Sequence, residues 1–118
     1  MSGRRGRWIV LAIGVALASI FFIDVCGWLY GCGCRSLWAG AAEACNIHHD
    51  APPHCPWCVH PLAGGGIAYI AAIAVQAAVA YAPLRIAVPA RLGLAVLAIP
   101  VTLGVVALVH GTWWEYWG

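Results

Sequence analysis

A chain of 118 residues that is 64% hydrophobic and only 8% charged cannot present a soluble surface, for which about a quarter of the residues are charged. Its net charge of +2 comes from six arginines and no lysine, too few and too scattered for the basic face that nucleic acid requires. The composition therefore points to a lipid environment and excludes nucleic acid as a partner, and the length fits a single membrane domain over 1–118.

The first apolar run covers 8–25 and extends helically to 30, with no charge before Asp24; that is long enough to cross a bilayer. It follows Arg4, Arg5 and Arg7 and contains Ala16-Leu17-Ala18, the outline of a cleavable secretory signal. The apolar residues continue through Ile20, Phe21, Phe22 and Ile23, so a retained span is expected. The second run, 67–81, is apolar except for Gln76 and reaches spanning length only with flanking residues. Gln76 is expected to bond another helix. The third run, 92–109, carries Pro100, which a membrane helix tolerates as a kink. The expected fold is all-α and integral to the membrane, with spans at about 8–30, 62–83 and 91–110 packed through alanine, glycine and valine.

Arginine placement sets the expected orientation. Arg4, Arg5 and Arg7 precede the first span, and Arg85 and Arg91 lie between the second and third, which puts both groups in the cytoplasm. The outer side then holds an irregular loop, about 31–61, and the tail from 111, with Arg35 as the one basic exception. This is the pattern of a bacterial inner-membrane protein with a cytoplasmic N-terminus and a periplasmic or extracellular loop. Trp28, Tyr30, Trp113, Trp114, Tyr116 and Trp117 all fall at outer span ends, where amphipathic rings anchor among headgroups.

That outer loop carries the chemistry. All six cysteines and four of the five histidines lie between Cys26 and His60: Cys26, Cys32, Cys34, Cys45, His48, His49, His54, Cys55, Cys58 and His60. Packing alone does not cluster cysteines in this way. Gly31-Cys32-Gly33-Cys34 reads as a turn leaving the first span. Ser36 is placed to cap a short helix through Leu37, Trp38, Ala41, Ala42 and Cys45, with Trp38, Ala42 and Cys45 on one face. His48-His49-Asp50-Ala51-Pro52-Pro53 reads as a loop, because a residue before proline is pushed out of helical geometry.

Three chemistries compete for these residues. An even cysteine count outside the cytoplasm fits three structural disulfides among Cys26, Cys32, Cys34, Cys45, Cys55 and Cys58, with about fifteen possible pairings. A metal site fits two ligand pairs with two-residue gaps, Cys45-x-x-His48 and Cys55-x-x-Cys58, which together offer a tetrahedral set, and His54 and His60 flank the second pair as substitutes. Thiolate and imidazole suit zinc or copper, and Asp50 and Glu43 are the loop's only carboxylates for harder ions. Thiol–disulfide exchange fits Cys55-Pro56-Trp57-Cys58, with His54 or His60 lowering a thiolate pKa and Cys26, Cys32 or Cys34 relaying electrons.

Cys55-Pro56-Trp57-Cys58 resembles the outer-loop Cys-x-x-Cys of membrane disulfide-generating oxidoreductases that bind quinone. The likeness covers four residues, and it implies a four-helix core where this chain offers three spans. Covalent haem attachment is excluded because Val59 separates Cys58 from His60; His110, at the outer end of the third span, leaves only a noncovalent haem with a loop histidine, ranked below a plain helix-end histidine. Asp24 is expected either to handle protons or, more simply, to face water or bond Arg35 or the loop backbone. No catalytic constellation stands out. The reading that results is a membrane protein whose outer loop binds zinc or copper, as an accessory subunit beside other membrane proteins. The alternatives are a Cys55/Cys58 redox protein and a disulfide-stapled structural subunit.

Overall fold

The computed structural model describes residues 3–40, 43, 45–48, 54–83 and 85–116. Three helices in it are long and apolar enough to cross a membrane: α1 (Arg4–Tyr30), the Pro61–Tyr81 segment and α4 (Val88–Trp113). Between α1 and the second span lie two single 3-10 turns, Leu37–Ala39 and Asn46–His48, and the four-residue helix α2 (Pro56–Val59). The second span opens with a wide π turn, Pro61–Gly66, and continues as α3 (Ile67–Tyr81). Among the described residues there is no strand.

The helices meet along faces spaced by four residues. The buried positions are Gly6, Val10, Gly14 and Ala18 on α1, Ala68, Ala72, Gln76 and Ala80 on α3, and Arg91, Ala95, Ile99, Leu103, Ala107 and Gly111 on α4. Residues four apart share one face of a helix, and small residues there let backbones approach where lipid offers no hydrophobic drive to association. The opposite faces carry the large apolar side chains: Ile70, Leu97, Val101 and Leu108 are all more than half exposed. Pro100 sits inside α4 without ending it. Its missing N–H is accommodated within a helix that runs on through Trp113.

The two polar residues buried among these faces are both put to use. Gln76 donates from Nε2 to the Ala95 carbonyl at 2.9 Å, as expected of an interhelical bond. Its Oε1 is buried without a partner and points at Gly14, where an added Cβ would collide with it. Arg91, expected between the second and third spans on the cytoplasmic side, is 2% exposed. Its guanidinium donates to the carbonyls of Val79 (2.8 Å), Ala80 (3.4 Å) and Ala82 (2.9 Å). It thus satisfies the open carbonyls that any helix leaves at its C-terminus and complements the dipole there. Arg7 donates to the Tyr81 carbonyl at 3.3 Å, so the start of α1 and the end of α3 share one end of the bundle. The cysteine loop occupies the other.

The expected helix behind Ser36 is replaced by the short 3-10 turn. Ser36 makes no capping bond; its hydroxyl donates to Asp24 Oδ1 at 2.5 Å, so Asp24 is held by Ser36, not by Arg35. The hydroxyl proton goes to the carboxylate, and the Ser36 oxygen accepts from no N–H of the turn. Gly40, at φ 104, ends the turn in a left-handed conformation that only glycine adopts cheaply. Trp38 is exposed and lies edge-on to Phe21, whereas Cys45 is fully buried, so the two do not share a face. Ala41 and Ala42 lie outside the described residues, as do His49, the Asp50-to-Pro53 loop and Trp117.

Candidate metal centre

The loop has no core of its own, and its folding is dictated by glycines and by one asparagine. Gly31 and Gly33 take φ values of 58 and 92, which turn the chain back after α1. Gly27 lies directly under the Cys34 carbonyl, in space that a Cβ would occupy. The returning strand of loop therefore rests on the backbone of α1, close to Cys26. Farther on, Pro56 starts α2 at its first position, where a missing N–H costs nothing. The Cys58 N–H donates to the Cys55 carbonyl at 3.2 Å, so Cys55 and Cys58 stand one turn apart on one side. The π turn then passes under α2: a Cβ at Gly64 would lie 2.6 Å from the Pro56 carbonyl oxygen, and one at Gly65 would lie 2.7 Å from that of Trp57.

Asn46 joins these pieces. Its backbone N–H donates to the Cys32 carbonyl at 2.7 Å. Its side-chain oxygen accepts from the Cys55 N–H at 2.6 Å and from the Cys45 thiol at 3.8 Å. Its amide donates to the Tyr116 hydroxyl at 2.9 Å, and Tyr116 in turn donates to the Tyr30 carbonyl at 2.7 Å. One residue thus fixes both loop segments to each other, to the end of α1 and to the residues after α4. Nothing in the cysteine and histidine pattern singles it out. The one available signal is its place directly after Cys45, since asparagine side chains habitually bond nearby backbone.

The result is that all six cysteines converge. Cys26 and Cys55 have their sulfurs 3.4 Å apart, Cys32 and Cys34 3.3 Å, Cys45 and Cys58 3.6 Å, and Cys34 and Cys58 3.8 Å. All six are free thiols, and these separations exceed the S–S bond of about 2.0 Å. Four groups of three sulfurs lie within 4.8 Å of one another: Cys26 with Cys55 and Cys58, Cys26 with Cys32 and Cys34, Cys32 with Cys45 and Cys55, and Cys34 with Cys45 and Cys58. Cys26, Cys32, Cys45 and Cys55 are at most 3% exposed, while Cys34 and Cys58 are partly exposed. Thiol hydrogen bonds from Cys26 and Cys55 draw the Cys58 pKa down to about 4, and bonds from Cys26 and Cys32 lower that of Cys55. Burial pushes Cys34 up.

The histidines expected as ligands are placed differently. His48 is exposed and His54 partly buried. His60 stacks on Trp114 with ring centroids 4.2 Å apart. None of the three supplies an atom to the four groups, which are built from cysteine alone. Cys26, Cys32 and Cys34, expected only as disulfide or relay residues, stand in the groups on equal terms with Cys45, Cys55 and Cys58. His110 accepts at Nδ1 from the Trp57 indole at 3.0 Å, which commits one of its ring nitrogens to holding Trp57.

Aromatic rings share the buried cluster of the sulfurs. Trp57, 3% exposed, stacks on Phe22 and meets Tyr30 edge-on, and Tyr30 meets Tyr116 in the same way. The tail, expected as an interfacial anchor, is divided in its duties. Trp113 is 77% exposed, but Trp114 and Tyr116 turn inward. The reversal is made at Glu115, whose φ of 51 lets Tyr116 N–H reach the Gly111 carbonyl at 2.8 Å and Glu115 N–H reach that of Thr112 at 3.3 Å. This is the double bond of a Schellman turn.

Comparison with protein-family models, with curated proteins and with solved structures finds no match, so the centre is read from its own chemistry.

Proposed function

We propose that this protein binds a soft transition metal, zinc or copper, through its clustered cysteines, at the outer face of a bacterial inner membrane. The observation that carries the reading is the convergence of six free thiols, four of them buried, into groups close enough for one ion to touch three sulfurs. Thiolates select zinc, Cu(I) and iron–sulfur clusters over hard ions. Burying that many thiols side by side has no packing advantage over the alanines and valines used elsewhere in the bundle. Arginine distribution supports a cytoplasmic N-terminus and a periplasmic loop, and the exposed apolar helix faces support lipid on the outside of the bundle. A 118-residue chain of three closely packed spans suits an accessory role beside other membrane proteins.

Elemental analysis of the purified chain, combined with thiol counting, tests this. The expected result is stoichiometric zinc or copper that is lost when Cys45, Cys55 or Cys58 becomes serine. Metal-free protein with its six cysteines in fixed disulfides overturns the reading in favour of a stapled loop. A metal-free protein in which Cys55 and Cys58 alone cycle with the redox buffer overturns it in favour of exchange chemistry.

A further inference from the structure

From the arrangement of the sulfurs we infer that the centre is built for a cluster of four Cu(I) ions bridged by all six cysteines. The inference rests on the metal-binding reading above and deepens it. In the four groups of three, each cysteine occurs twice and no pair of cysteines occurs more than once. Three pairs share no group: Cys26 with Cys45, Cys32 with Cys58, and Cys34 with Cys55. Six points with three such opposed pairs are the corners of an octahedron, and the close pairs within the groups bring three sulfurs together on every one of its faces; ions that share no edge, so that each thiolate bridges only two of them, occupy alternate faces, four in all. An ion on each of those faces has three sulfur ligands, and each sulfur bridges two ions.

Coordination preferences decide which metal such a frame takes. With a metal–sulfur bond of about 2.3 Å, an ion in the plane of three sulfurs holds them about 4 Å apart, the scale of the separations here. Cu(I) accepts trigonal thiolate coordination. Zinc demands a tetrahedron, and two zinc ions sharing six thiolates need sets of four mutually close sulfurs; every group here is a group of three. A single ion at the octahedral centre is the habit of hard cations with oxygen ligands. An iron–sulfur cluster needs room for its own iron and sulfide atoms between the thiolates, and these sulfurs are already near contact.

The charges balance without any change of oxidation state. With all six cysteines ionised and their protons passed to solvent, four Cu(I) ions leave a cluster of net charge −2. The surroundings suit it. Cys26, Cys32, Cys45 and Cys55 are shut from water, which protects Cu(I) from oxidation in an oxidising compartment, and Trp57 and Tyr30 seal the inner side. Cys34 and Cys58, the two partly exposed members, share a group with Cys45 and form the edge at which an arriving ion first meets sulfur.

The test is an anaerobic titration of the full chain in nanodiscs with Cu(I) supplied as its bicinchoninate complex. Expected are uptake of four copper ions per chain in one cooperative step, emission typical of water-shielded copper thiolates, and a copper–copper shell in X-ray absorption. Cys45→Ser, which removes a member of two groups, should reduce uptake to half or less, and His48→Ala should leave it unchanged. Saturation at one or two ions with no copper–copper shell overturns the cluster while leaving the metal-binding reading intact. Zinc bound in preference to Cu(I) does the same. No uptake of either metal overturns both.

Discussion

Asn46 shows how much of this centre depends on a residue that is not itself a ligand. Its side chain accepts from the Cys55 N–H and donates to Tyr116, so Asn46→Ala strands the Cys55 backbone donor in a buried place and removes one bond to the Tyr116 hydroxyl, which still donates to the Tyr30 carbonyl. The stranded donor costs about 1–3 kcal/mol, and, on the metal-binding reading, losing an outer partner of Cys55 weakens metal affinity about 10–100-fold. A lower midpoint in thermal unfolding together with a weaker metal titration is the expected outcome. Asn46→Asp keeps the acceptor toward Cys55, loses the donor to Tyr116 and adds a negative charge that favours a cation nearby, so its affinity should fall less. Equal losses in the two variants would show that the Cys55 bond does not matter. At this scale the sequence was only partly legible. The clustering of Cys26 through His60 flagged the segment in which the sulfurs converge, because soft ligands are conspicuous in an apolar chain. The membership of Cys26, Cys32 and Cys34 was hidden, because it depends on the chain folding back at Gly31 and Gly33 over Gly27. Spacing rules favoured Cys45-x-x-His48, yet the 3-10 turn over Asn46–His48 leaves His48 exposed while Cys45 is buried.

At the level of the helices, hydropathy was sufficient. Long apolar runs have few alternatives in lipid, since a spanning segment must satisfy its backbone internally, and all three were legible with their interior Pro100 and Gln76. Helix ends were less so. The second span begins with a π turn whose glycines fit under α2, a tertiary constraint that no local pattern displays. The packing of Gln76 against Gly14 gives a prediction proper to this scale. Gly14→Ala places a methyl group where the Gln76 carbonyl oxygen lies, and overpacking of this kind costs about 1–3 kcal/mol. Gln76→Ala opens that space, so the double variant should be more stable than the sum of the two single changes allows. A double-mutant cycle in detergent unfolding measures the coupling; additive effects would mean that α1 and α3 separate instead of clashing.

For the whole molecule, the three helices carry short side chains inward and the loop is pinned to both α1 and the residues after α4. On the metal-binding reading, binding and folding are therefore linked. A metal held only by the folded form adds RT ln(1 + [L]/Kd), about 2.7 kcal/mol at a hundredfold excess over Kd. Removing it with a thiol-competitive chelator should lower the unfolding temperature of the full chain, and re-addition should restore it. The loop and the Tyr30–Tyr116 contact should become protease-sensitive before the spans do, because the bundle's Arg91 and Gln76 bonds lie far from the sulfurs. Unchanged melting after complete metal removal would separate the centre from the fold.

Chain order adds a temporal consequence to the inward turn at Glu115. Every thiol has been synthesised by Cys58, but the ring that closes over Asn46 belongs to Tyr116, at the far end of the last helix. During biogenesis the sulfurs must therefore emerge, fold back and wait while two further segments enter the bilayer. On the metal-binding reading, a newly made copy stays open to loading, and its thiols to mispairing with one another, for as long as insertion of that helix takes.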